Sequence, residues 1–181
     1  MDFESKITSR EISQLLWERE MTLGTAESCT GGRVAEAIIA ERGASKYFKG
    51  GIVSYADEIK ERILGVDRQL IEEKTAVCED VAVAMVKGAC KALNTDYAIA
   101  VTGIAGPGGG TAEIPVGTIW LACGNEDNVA TCQLTEDNGR DKNLSEATHT
   151  ALEMFLEFLK GEEKVSEDDV EPQGEVKWGS N

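Results

Sequence analysis

The sequence predicts a three-layer α/β/α sandwich built on a mixed sheet of about five strands. Two observations carry that expectation. Short apolar segments of strand length alternate with segments of helical period along most of the chain. The last two strand-like segments, residues 116–123 and 129–134, are joined only by Gly124-Asn125-Glu126-Asp127-Asn128, so a hairpin ends an otherwise crossover-connected series. A chain of 181 residues, 41% hydrophobic and 28% charged, suits one domain with a real core.

Taken in order, Thr8-Ser9-Arg10-Glu11 has the pattern of a capping box, and Ile12, Leu15 and Leu16 follow on one face, which predicts the first helix. Residues 21–26 read as a strand that runs into Glu27-Ser28-Cys29-Thr30-Gly31-Gly32, and Val34, Ala37 and Ile38 give the next helix its apolar stripe. Residues 47–54 form the second strand, with Gly50-Gly51 marking a bulge or a close backbone approach. Asp57 is the expected N-cap of a short helix over 58–64, and a second short helix follows at 68–74. The small, widely spread apolar residues of 79–93 suit a long helix packed on both sides. Residues 97–101 are the third strand, and a glycine-rich loop, 103–110, leaves it. Leu144, Ala147, Ala151, Phe155 and Phe158 form the row of the last helix, with Leu152 and Leu159 beside it. The domain is thus expected over 1–160, followed by an acidic, disordered tail over 161–181.

Net charge is −15, of which the tail, with seven acids against two lysines, carries −5 and the remainder −10. Both parts are acidic, which disfavours a nucleic-acid partner. No apolar run approaches the ~20 residues of a bilayer span, and the N-terminus lacks a signal-peptide core, so the expectation is a cytoplasmic protein without a membrane partner. Five cysteines (29, 78, 90, 123 and 132) include no C-x-x-C pair, and His149 is the single histidine, so no metal site or disulfide framework is expected.

Ligands in such sheets bind beyond the carboxyl ends of the strands. Three segments hold that position if their strands are neighbours: 27–32, 54–60 and 102–110. Ser28 brings a hydroxyl to a helix N-terminus whose free N–H groups, around Thr30, Gly31 and Gly32, suit an oxyanion or a phosphate; a plain capping role for Ser28 and Thr30 is the competing reading. A serine alcohol needs a base. His149 shares a polar stripe with Glu146, Glu153, Glu157 and Lys160 and is expected in solvent. Lys60 lies early in a helix, where the macrodipole works against an ammonium and partial burial would add to that, toward an amine that can take a proton. A solvent-exposed helix lysine, in the company of Glu61 and Arg62 beside it, is the competing reading. Tyr55, at the strand end, can donate or relay a proton. Cys29 is a rival nucleophile without a histidine to activate it. The loop Gly103-Ile104-Ala105-Gly106-Pro107-Gly108 is neither a dinucleotide fingerprint nor a P-loop, although its glycines permit close approach to a ligand.

These segments resemble one family, the CinA C-terminal domain or nicotinamide-nucleotide amidase. The resemblance rests on Thr25-Ala-Glu-Ser-Cys-Thr-Gly-Gly32, Gly51-Ile-Val-Ser-Tyr-Ala-Asp-Glu-Ile-Lys60, Val101-Thr-Gly-Ile-Ala-Gly-Pro-Gly-Gly-Gly110 and Pro115-Val116-Gly117-Thr118. It runs from about residue 8 to 160. It implies a three-layer α/β/α fold, a homodimer, no metal or other cofactor, and hydrolysis of nicotinamide mononucleotide to nicotinate mononucleotide and ammonia. It further implies Ser28 as nucleophile, with Lys60 and Tyr55 as its catalytic partners. Thr102 matches a hydroxyl position beside the site, and substrate contacts are expected at Thr30, Gly31, Gly32, Thr102, Gly103, Ala105, Gly106 and Arg140. The family commonly has a second arginine four residues after the one matched by Arg140; here Leu144 occupies that place, with Lys142 nearby. That departure leaves open a non-catalytic nucleotide-binding or regulatory module, tied to competence or DNA damage, and a third reading in which another amide is cleaved.

Overall fold

A computed structural model describes residues 3–168. The chain order is α1 (Phe3–Glu18), β1 (Leu23–Glu27), α2 (Arg33–Ile39), β2 (Phe48–Val53), α3 (Asp57–Leu64), α4 (Arg68–Lys74), α5 (Glu79–Leu93), β3 (Tyr97–Gly103), β4 (Ile119–Gly124), β5 (Val129–Leu134) and α6 (Arg140–Asp168). The five strands form one sheet in the order β2-β1-β3-β4-β5. β1 pairs in parallel with both β2 and β3, and the β3–β4 and β4–β5 pairs are antiparallel. The expected mixed α/β sandwich is therefore the observed one.

Side-chain alternation on the strands decides which helix covers which face. Tyr97, Ile99 and Val101 of β3 join Leu121 and Cys123 of β4 in a core shared with α1, α2 and α6. Ala98 and Ala100, with Ala26 and Ala122, face the other way, toward Leu64 of α3, Ile71 of α4 and the buried stripe of α5. Small residues on that face let α5 lie close to the sheet, as the small apolar residues of 79–93 predicted.

Because β2, β1 and β3 are adjacent and parallel, their carboxyl ends share one edge. The juxtaposition on which the three candidate loops depended is met. The bulge expected near Gly50-Gly51 falls at Lys49, where the pairing passes from Leu23–Phe48 to Gly24–Gly50. Gly51 is also a close approach, since a Cβ there would lie 2.5 Å from Thr25 Oγ1.

Several local expectations are corrected. The first helix starts by Phe3, and Thr8 sits inside it with its hydroxyl donating to Glu4 O at 3.1 Å, so Thr8-Ser9-Arg10-Glu11 is not a capping box. Ala56, not Asp57, is the N-cap of α3, and Asp57 is its first helical residue. His149 is not a solvated residue. Its ring packs between α6 and α1, with Ser5 Oγ 3.2 Å from Nδ1 and Glu153 Oε1 3.2 Å from Nε2. The tail was expected to be disordered from residue 161, yet α6 continues through Gly161 to Asp168, and Glu162 accepts a hydrogen bond from Tyr97 OH at 2.6 Å. Residues 169–181 lie outside the described residues.

Candidate active site

β1 delivers Ser28 to the sheet edge. Its N–H donates to Val101 O at 2.8 Å, which continues the β1–β3 ladder one residue past the strand and fixes the backbone beneath the hydroxyl. The turn that follows has Gly31 and Gly32 at φ 59° and 104°, the left-handed region that glycine enters without penalty.

Glu27 organises the start of α2 from below. Its buried carboxylate accepts from Gly32 N at 3.0 Å, Val34 N at 3.1 Å and Ala35 N at 2.9 Å. Of these, Gly32 N is one of the donors expected to hold an oxyanion or phosphate. Gly31 N is also engaged, with Ser28 O at 3.1 Å. The N-terminus of α2 is therefore neutralised internally by a carboxylate of the chain itself. Glu27 is assigned no role from the sequence, although a glutamate directly before the turn and a helix start is the signal for one.

Lys60 reaches Ser28 from the opposite side. Only 1% of its surface is exposed, and its Nζ lies 3.3 Å from Ser28 Oγ, 3.0 Å from Ser54 O and 3.2 Å from Asp57 Oδ1. Asp57 is half exposed and sits one helical turn before Lys60, so one carboxylate faces both the amine and water. Ser54 and Asp57 were not singled out from the sequence. Ser54 contributes through its backbone carbonyl, which no residue-type pattern reveals.

Above Ser28 opens a cavity of about 220 Å3 whose lining includes Cys29, Tyr55, Gly103, Ala105, Gly106 and Arg140. Tyr55 is 62% exposed at its mouth. Ile104, Gly108 and Gly109 complete the loop side and had not been nominated individually. Gly103 is required by packing as much as by access, because a Cβ there would meet Ile119 Cα at 2.6 Å. Arg140 donates from Nη1 to Gly106 O at 2.8 Å. Burial pushes the Cys29 thiol up to about 11, with nearby N–H groups opposing the shift only partly, so the thiolate a nucleophile needs is suppressed near neutrality.

Lys60 lies beneath this cavity rather than on its wall, and four residues expected to contact substrate do not line it either. Thr30, Gly31 and Gly32 stand behind Ser28, Thr30 being buried. Thr102 faces the α5 side, where its hydroxyl donates to Ala76 O at 2.8 Å. Its place on β3 explains this: it shares the face of Ala98 and Ala100.

A family model described as the CinA C-terminal domain matches residues 5–159. The chain belongs to that family. Among curated CinA-like proteins, that of Geobacter sulfurreducens is 52% identical over 111 residues, 61% of this chain and 27% of that protein. That of Flavobacterium psychrophilum is 40% identical over 154 residues, 84% of this chain and 37% of that protein. The chain thus spans roughly a third of the length of these CinA-like relatives. Solved CinA-family structures superpose closely. The competence/damage-inducible protein CihA from Agrobacterium tumefaciens has a TM-score of 0.84 at 36% identity, covering 88% of this chain and 98% of that one. A CinA superfamily protein from Escherichia coli has a TM-score of 0.81 at 33% identity, covering 88% and 92%. Leu144, the departure from the CinA arginine pattern, is buried in the core shared by α6 and the sheet, and Lys142 is exposed.

Proposed function

We propose that this domain is an amidohydrolase that converts nicotinamide mononucleotide to nicotinate mononucleotide and ammonia. The observation that supports it most directly is the buried Lys60 Nζ at 3.3 Å from Ser28 Oγ, under a cavity rimmed by a tyrosine and an arginine. In the proposed reaction Lys60 takes the Ser28 proton as Oγ attacks the carboxamide carbon. Lys60 or Tyr55 returns a proton to the departing nitrogen, ammonia leaves, and water then cleaves the nicotinoyl ester to release the acid and restore Ser28. With the donors of Gly31 and Gly32 engaged elsewhere, the oxyanion falls to amides of the 103–109 loop. Arg140, at the rim, is the group proposed to meet the phosphate.

The test is ammonia release from nicotinamide mononucleotide, nicotinamide riboside and nicotinamide, with wild type and Ser28→Ala. Turnover of the mononucleotide should exceed that of the two unphosphorylated compounds, and Ser28→Ala should lower it by roughly 10³-fold or more. Equal turnover of all three would remove the phosphate from the proposal. No turnover of any of them would favour a non-catalytic nucleotide-binding module, the role that neighbours named for competence and damage induction leave open.

A further inference from the structure

Asn143 lies in the first turns of α6, is only 3% exposed, and uses both ends of its amide. Its Nδ2 donates to Ala105 O at 3.1 Å and to Asp137 Oδ1 at 2.9 Å, while its Oδ1 accepts from Asn138 N at 2.8 Å. Asp137 Oδ1 also accepts from Gly139 N at 3.0 Å, and these two donors hold its carboxyl below the usual range. One helical turn earlier, Arg140 holds Gly106 O. Two successive carbonyls of the glycine-rich loop, Ala105 and Gly106, are therefore gripped from α6, and both residues line the Ser28 cavity.

A loop rich in glycine has much conformational freedom to lose, so an unheld 103–109 segment would sample many shapes. A buried amide with every partner in place is costly to disturb and specifies one shape. We propose that Asn143 is a positioning residue that sets the loop wall of the substrate cavity, through Ala105 O and the Asp137–Asn138 corner. It touches neither Ser28 nor Lys60. The inference rests on the proposed amidase activity only for its kinetic readout.

Two substitutions test it. Asn143→Leu keeps the volume and removes all three hydrogen bonds. Asn143→Asp keeps the shape and the acceptor but loses the donors and sets a carboxylate against Asp137 and Ala105 O. For both, kcat/KM for nicotinamide mononucleotide should fall roughly tenfold or more, the Asp variant being worse, because the same loop walls the cavity and supplies the proposed oxyanion amides. Backbone amides of residues 103–109 should exchange hydrogen about tenfold faster than in wild type, with the β1 and β3 amides unchanged. Unchanged kcat/KM, or unchanged exchange in that loop, would overturn the assignment. If wild type releases no ammonia, the amidase reading fails alone and the exchange comparison still decides the role of Asn143.

Discussion

At the Ser28 end of the cavity the polar groups are buried and answer one another, whereas at the Arg140 end an exposed guanidinium and a buried amide, Asn143, act by holding a loop. Lys60 is enclosed with three oxygen partners, and Glu27 is enclosed with three backbone donors. Glu27 ends the central parallel strand β1, and Lys60 projects from α3, the helix that follows the edge strand β2. Arg140 and Pro107 lie at the surface, and the loop between them is fixed mainly through its carbonyl oxygens. The difference separates two tasks. A proton transfer needs heavy atoms placed within a few tenths of an ångström, which rigid strands and buried partners supply. A phosphate can be met by one exposed cation at a helix start, as Arg140 is, at lower precision.

Lys60→Met breaks the first end most severely. Methionine fills similar space, so the fold should persist, but Ser28 loses the amine that stands 3.3 Å from its hydroxyl. Turnover of nicotinamide mononucleotide should fall by roughly 10²–10⁴-fold with KM little changed. Circular dichroism checks that the fold is intact. A Lys60→Met enzyme within tenfold of wild type would remove the lysine from the chemistry and leave its burial a structural fact.

Arg140→Ala addresses the other end, and its signature should be the reverse. KM for the mononucleotide should rise about tenfold, kcat should stay within a few-fold, and the KM for nicotinamide riboside should hardly move. The effect should shrink at high salt, since Arg140 is exposed. A change confined to kcat would mean that the two ends are one machine rather than two.

The same contrast explains what the sequence could disclose. Ser28, Tyr55 and Lys60 were legible because each follows a strand signal and sits at a helix start, and those strands turn out to be neighbours. Side chains that act on groups close in sequence were harder to place. Thr8 looks like a cap because the pattern for capping and the pattern for bonding back to the preceding turn use the same residue types. Thr102 was assigned to the site by resemblance, although alternation along Ala98, Ala100 and Thr102 already puts it on the α5 face. Ser54 and Asn143 act largely through backbone groups, which leave no mark in the residue types, whereas the place of Glu27 just before a glycine turn and a helix start is a signal that a sequence does carry. Leu144, which stands where the family pattern has its second arginine, belongs to the core.

Cys29 gives the smallest expected effect and sharpens the boundary between the two ends. Its thiol stands next to Ser28 on the cavity wall, yet burial raises it to about 11 from the ordinary value near 9. At pH 8 the native thiol should therefore react with iodoacetamide on the order of a hundredfold more slowly than an unfolded one, read by mass spectrometry of the labelled peptide. The linked effect on stability has a definite sign. The folded thiol keeps its proton to a higher pH than the unfolded one, so its contribution is whole below pH 9 and is lost as pH rises from 9 to 11. Cys90 and Cys123 are shifted the same way, to about 11 and about 12, so Cys29→Ala should remove only part of the alkaline fall in melting temperature. Rapid native labelling of Cys29 at neutral pH would mean that water and reagent reach the Ser28 end freely. In that case the enclosure of Lys60, and with it the separation of a dry chemical end from a wet recognition end, would have to be given up.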